Sequence, residues 1–169
     1  MGENCKGQVP EYKTPEQTIV ITTELILPAM ANLMNNLQGG QMMRFMDIAG
    51  ALTCRRHSGR EVATVTVDKI EFRYPVKVGE VVTVTSKLIW VGRTSMKVKI
   101  CAVSENLKSG TSRLTNTAFF TYVALDENGR PVPVPRLHPQ TSEEKEAFDR
   151  EQAAYVKSKA AEKSAIKCK

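Results

Sequence analysis

The chain has 169 residues, a length that one domain usually fills. Apolar residues make up 41% and charged residues 25%, which excludes disorder throughout. The most apolar stretch, residues 19–27, is broken by Thr22, Thr23 and Glu24 and is too short to cross a bilayer, so no membrane partner is expected. The net charge of +6 is diffuse, with no run of three Lys or Arg and only 6% aromatics. That argues against a nucleic-acid partner and suits a small phosphate-bearing ligand.

Residues 1–17 read as an irregular arm. They hold five charged side chains and no apolar run, so no signal peptide is expected. Residues 18–27 read as a strand that Pro28 ends. Residues 29–40 form a loop dense in Asn and Gly. From Gln41 to about Arg55 the pattern is helical. Met42, Met43, Phe45, Met46, Ile48, Ala49, Ala51 and Leu52 cover nearly its whole circumference, which predicts a helix buried on all sides. Arg44 and Asp47 are the charges set within this apolar run.

RHSGR at 56–60 is the exit loop, followed by a run of strands. Residues 62–67 alternate Val or Ala with Thr, and the strand continues until it turns at Pro75 and Gly79. Val81–Val91 is a long strand, Gly92–Ser95 a turn, and Met96–Ser104 alternates with period two, as a strand with one wet face does. Residues 106–110 turn, and Leu114–Leu125 is the last strand. Pro131, Pro133 and Pro135 mark an extended segment. Thr141 then caps a helix, with Glu144 completing a capping box, that runs to about Ala160. Its surface is charged and its large apolar residues few (Phe148, Tyr155, Val156), so it is expected to be loosely docked or frayed. Strands set apart from helices give an α+β fold. One helix in a small sheet is a thin core, which predicts that a partner extends the sheet.

The cysteines (Cys5, Cys54, Cys101, Cys168) are scattered, without metal-binding spacing, so no metal site is expected. Free thiols in a reducing cytoplasm are the simplest reading, although an even count also permits disulfides.

Asp47 is the first candidate for chemistry. A carboxylate in an apolar helix is costly unless it is paired or used. A pair with Arg44 one turn away, or a place at a solvent-facing helix edge, would explain it without function. Gly39 and Gly40 stand at the helix start, where bare N–H groups and the positive dipole end favour an anion, although Gly pairs also make plain turns. Asn32, Asn35 and Asn36 suit turns. Gly92, Arg93, Thr94 and Ser95 offer a guanidinium and hydroxyls that suit a phosphate, or simply a hairpin. His57 has no nucleophile at a recognisable spacing and reads as a surface or structural residue. There is no GxSxG, GxGxxG or Walker A sequence.

The stretch NLMNNLQGGQMMRFMD (32–47) resembles the signature of hotdog-fold acyl-CoA thioesterases, most closely the acyl-CoA hydrolase family of bacterial broad-specificity and animal cytosolic enzymes. VATVTVDKIEF (62–72), PVKVGEVV (75–82), VGRTSMKVKI (91–100) and FFTYVALDENGRPVPVP (119–135) match it in order. The resemblance implies a hotdog fold: a curved antiparallel sheet of about five strands wrapped around one long apolar helix. Residues 18–137 would be the thioesterase domain, 1–17 an arm and 138–169 a charged helical tail. It implies hydrolysis of acyl-CoA, with Asp47 as general base or nucleophile and Asn32 orienting water or thioester. Gly40 or Gln41 would hold the oxyanion beside Gly39, and Arg93, Thr94 and Ser95 would hold coenzyme A. No cofactor beyond the substrate's own coenzyme A is implied. The family's dimers place the site between subunits and commonly form a trimer of dimers. Asn35 and Gln38 depart from the pattern, which often has Gly and His or Phe there. A non-catalytic acyl-CoA binder is the alternative. A hydratase would need an Asp-to-His pair that this helix region lacks.

Overall fold

A computed structural model describes residues 11–167, with side chains as far as residue 160; Cys5 and Cys168 lie outside. The elements in chain order are β1 (Tyr12–Lys13), β2 (Val20–Leu25), α1 (Gly39–Ser58), β3 (Glu61–Phe72), β4 (Val81–Val91), β5 (Ser95–Asn106), β6 (Thr111–Leu125), β7 (Arg136–Leu137) and α2 (Ser142–Lys167), with 3-10 turns at Glu16–Thr18 and Pro28–Met30. Five strands form one antiparallel sheet in the order β2-β4-β5-β6-β3. The expected arm is not wholly irregular, because β1 pairs in parallel with β7.

This is the hotdog arrangement. Inward-facing Val82, Val84, Leu88, Val98, Ile100, Ala118 and Phe120 make a concave apolar floor, and Met42, Phe45, Met46 and Ala49 of α1 lie against it. Helix α1 is longer than expected by two residues before Gln41 and three beyond Arg55. Gly59 ends it in the left-handed conformation (φ 66°), with its N–H bonded to the Arg55 carbonyl at 2.8 Å.

The helix is not buried on all sides. Met43, Ile48 and Leu52 stay 41–42% exposed, because the sheet covers one face and the apolar surface extends beyond it. At the sheet's edge runs β3, with Val65 and Val67 exposed. A bulge between Thr64 and Thr66 shifts the β3 register against β6. Thr64 therefore pairs with Tyr122 and faces α1, while Thr66 pairs with Thr121 and faces outward.

The tail is docked rather than loose over its first half. Glu144 closes the expected capping box, accepting from the Thr141 N–H at 3.3 Å while Thr141 Oγ1 accepts from the Glu144 N–H at 3.2 Å. Lys87 bridges Glu144 at 2.7 Å and Lys97 bridges Glu151 at 2.7 Å. Trp90 donates to Gln152 Oε1 at 2.8 Å and packs on Tyr155 with ring centroids 4.9 Å apart. A few well-placed partners thus compensate for the shortage of large apolar residues in α2. His57 is structural: fully buried, with Nε2 2.8 Å from the Pro135 carbonyl oxygen.

Candidate active site

Asp47 is partly buried on the side of α1 that faces β3 and β6. Its partners are hydroxyls, not the Arg44 guanidinium. Thr64 Oγ1 donates to Oδ1 at 2.7 Å and the Tyr122 hydroxyl donates to the same oxygen at 3.1 Å. Tyr122 also donates to the Asp47 carbonyl at 2.9 Å. Burial, then the neighbouring Asp47 charge, push the Tyr122 phenol well above its ordinary range, so it stays protonated and a donor. Oδ2 takes no hydrogen bond among the described residues and is free for an incoming proton or electrophile.

Sequence reasoning missed Thr64, Tyr122 and a third residue that fits them together. A Cβ on Gly50 would lie 2.4 Å from the Tyr122 hydroxyl, so only glycine lets the phenol reach across α1 to Asp47. The signal for Tyr122 was present: it stands in the core-facing row with Ala118, Phe120 and Ala124, and a polar tip in such a row needs a partner.

Asn32 belongs to a stapled loop. Its N–H donates to the Asn36 carbonyl at 2.8 Å, and Asn35 takes a left-handed conformation (φ 56°) with its N–H on the Asn32 carbonyl at 3.0 Å. Asn32 Oδ1 accepts from the Met34 and Asn36 N–H groups at 2.9 and 3.2 Å. The turn-making reading of Asn32 is therefore correct for its oxygen, and it leaves the amide NH₂ as the group available to a ligand. Gln38 is fixed in the same way, its amide donating to the Ala31 carbonyl at 2.9 Å.

Helix α1 begins at Gly39 with no side-chain cap and no acidic residue in its first turn. The Gln41 N–H is already used, donating to the Gln38 carbonyl at 3.0 Å. A Cβ on Gly40 would meet nothing within 4 Å, so another molecule can approach its backbone closely. Asn32, Gly39, Met34, Met42, Phe72 and Asn116 line a cleft of about 310 Å³ here.

The single chain does not unite these parts. Asp47 lies seven residues beyond Gly40, roughly 10 Å along the helix at about 1.5 Å per residue. The Gly92–Ser95 turn pairs at the Val123 end of β6, while the cleft lies at the Asn116 end, roughly 23 Å away at about 3.3 Å per residue. In that turn the Gly92 N–H bonds the Ser95 carbonyl at 2.8 Å, and a Cβ on Gly92 would lie 2.6 Å from the Trp90 ring. Its glycine is thus explained by packing. Arg93 is exposed, and Thr94 and Ser95 are half-buried. Among the described residues no group of His, Cys, Asp and Glu could hold a metal ion, and no helix is long and apolar enough to cross a membrane.

Residues 34–111 match the family model of the thioesterase superfamily. An uncharacterised acyl-CoA thioester hydrolase of Bacillus subtilis, YkhA, is 37% identical over 137 residues, 81% of this chain and 80% of its own. A hexameric acyl-CoA thioesterase superposes with a TM-score of 0.81 at 34% identity, over 92% of this chain and 98% of that one. An acyl-CoA hydrolase from Staphylococcus aureus, solved with butyryl coenzyme A, coenzyme A and coenzyme A disulfide, gives a TM-score of 0.76 at 25% identity, over 92% and 99%.

Proposed function

The chain belongs to the acyl-CoA thioester hydrolases of the thioesterase superfamily, and on that footing we propose that it cleaves acyl-CoA to free acid and coenzyme A at a site shared by two copies. The observation that carries this reading is Asp47, whose Oδ1 is held by two hydroxyls while Oδ2 is unengaged. A protein that only binds acyl-CoA needs no carboxylate oriented in this way.

In the general-base form, Asp47 takes a proton from water as its oxygen bonds to the thioester carbon. The carbon–sulfur bond then breaks, and the proton passes to the leaving thiolate. In the nucleophilic form Oδ2 itself attacks, and water hydrolyses the resulting anhydride. In both, negative charge grows on the carbonyl oxygen. The Gly40 N–H, with the α1 dipole behind it, and the Asn32 NH₂ are donors suited to receive it. Since Gln41 already bonds Gln38, it is not assigned this role.

Gly40 lies about two turns before Asp47 on α1, and the cleft that Asn32 lines does not include Asp47, so we assign them to different sites within one chain. A second copy paired antiparallel along the β3 edge would bring its helix start toward this Asp47. A hexameric relative supports assembly into an oligomer, which we read as a trimer of such dimers. Arg93, Thr94 and Ser95 are assigned to the phosphates and pantetheine of coenzyme A across the assembly, and no other cofactor is invoked. Residues 18–137 are taken as the catalytic domain, with 1–17 as an N-terminal arm and 138–169 as a C-terminal tail. Cys54 and Cys101 are free thiols, which suits a cytoplasmic setting.

The test is thiol release from a panel of acyl-CoAs. The wild-type chain should turn over, and Asp47→Asn should fold normally and lose at least about a hundredfold, the scale of a missing general base. No thiol release by the wild type, or near-normal turnover by Asp47→Asn, would overturn the reading.

A further inference from the structure

The cleft at the start of α1 has an apolar floor with one exception. Leu37, Met42 and Val76 are its buried apolar lining, and the fourth buried lining residue is Asn116, 1% exposed. Asn116 belongs to the inward row of β6 with Ala118, Phe120 and Tyr122. That row carries two polar tips. The Tyr122 hydroxyl is used on Asp47. Asn116 Nδ2 donates to the Glu71 carbonyl at 3.2 Å, and because a carbonyl can only accept, this bond fixes which way the amide points. Oδ1 is left without a hydrogen bond among the described residues.

We infer that Asn116 determines which acyl chains the site takes. Chains that stop short of it, or meet it with a hydrogen-bond donor, are preferred over longer apolar chains. The inference rests on the thioesterase reading above, in which the Asn32 NH₂ and the Gly40 N–H receive the thioester oxygen beside this cleft. Two arms leave the thioester carbon. The coenzyme A arm is polar and is assigned to the Arg93 turn, so the apolar cleft takes the acyl arm. Each added methylene gains by lying over Leu37, Met42 and Val76. A tail that reaches Asn116 instead strips Oδ1 of water and returns no hydrogen bond, a loss of about tenfold to a hundredfold. A hydroxyl on the tail restores the bond, and a shorter chain leaves room for water to make it.

The test is kcat/KM for thiol release along a ladder of straight-chain acyl-CoAs from butyryl to dodecanoyl, each beside its ω-hydroxy counterpart. In the wild type, kcat/KM should fall by about tenfold or more at the length that reaches Asn116. At that length the ω-hydroxy substrate should outrun the plain one, the reverse of the order an apolar floor gives. In Asn116→Leu, a side chain of nearly the same size, the step should vanish. The ratio of long to short chains then rises about tenfold or more, and the hydroxyl loses its advantage. A wild type whose kcat/KM rises smoothly with length, or whose plain substrates win at every length, overturns the inference. So does a folded Asn116→Leu with unchanged ratios. If Asn116→Leu loses its circular dichroism, the wild-type pairs decide alone. A wild-type chain without thiol release would refute the thioesterase reading instead. The uncleaved ladder is then read as dissociation constants by isothermal titration calorimetry, with the same step expected and the same results overturning it.

Discussion

At the scale of single residues, Asp47 was legible and its supports were not. A lone acid in an apolar helix stands out in any reading of the sequence. The hydroxyls that hold it come from strands 17 and 75 residues away, and the bulge at Val65 turns Thr66 outward while Thr64 faces α1. Unbroken alternation would turn Thr64 and Thr66 to one face, so no periodicity rule separates them. Gly50 was invisible for a similar reason: its demand comes from the Tyr122 ring, not from its own backbone. Gly50→Ala should cost about 1–3 kcal/mol as an overpacked contact and should also lower kcat, because the phenol must leave Asp47 to make room. Thermal unfolding and thiol release check the two parts. Tyr122→Phe removes the donor without the clash and should lower kcat about tenfold, with little change in KM. His57 makes a prediction in pH. Burial holds its imidazole below the ordinary value of 6.5, offset in part by the Pro135 carbonyl and reinforced by the Lys13 charge. The unfolded chain therefore binds the extra proton first. The stability contributed by neutral His57 is complete above about pH 6.5 and is lost as pH falls below it. The melting temperature should decline between about pH 6.5 and 5 in the wild type and decline less in His57→Gln.

At the scale of elements, periodicity located the strands well. The limits of β4 were read from the sequence without error, and β5 and β6 start and stop within three residues of expectation. The terminal segments were less legible, since their order depends on distant partners. Two residues of the arm form β1 only because β7 lies alongside. Helix α2 looked too charged to dock, but its charges are the docking: Lys97 bridges both Asp68 of β3 (2.5 Å) and Glu151 of α2 (2.7 Å). The Lys97–Glu151 pair is largely shielded, with side-chain exposures of 18% and 14%, unlike an ordinary surface pair. The helix also covers Trp90, which is 3% exposed beneath it. Truncation after Gln140 should therefore lower the melting temperature by several degrees. Differential scanning calorimetry checks this, and a tail that docks weakly would leave the melting temperature unchanged.

At the scale of the whole molecule, one protomer carries the residues proposed for the site without bringing them together. Asp47 stands mid-helix, the helix start lies about two turns before it, and the Arg93 turn lies at the other end of the sheet from the cleft that Asn32 lines. Met43, Ile48 and Leu52 of α1, the bare edge of β3 and the Leu33–Met34 tip are apolar surfaces left open in one protomer. The sequence anticipated this in outline, through a core too thin for its helix, but periodicity cannot report which face is left over. The most direct measurement mixes two nearly inactive variants, Asn32→Ala and Asp47→Ala, refolded together in equal amounts, with mixed assemblies confirmed by native mass spectrometry. If each site takes Asp47 from one chain and Asn32 from another, half the dimers are mixed and each has one intact site. About a quarter of wild-type thiol release should then return. Confirmed mixed dimers without recovered activity would contradict the account, because both residues would then be acting within one chain.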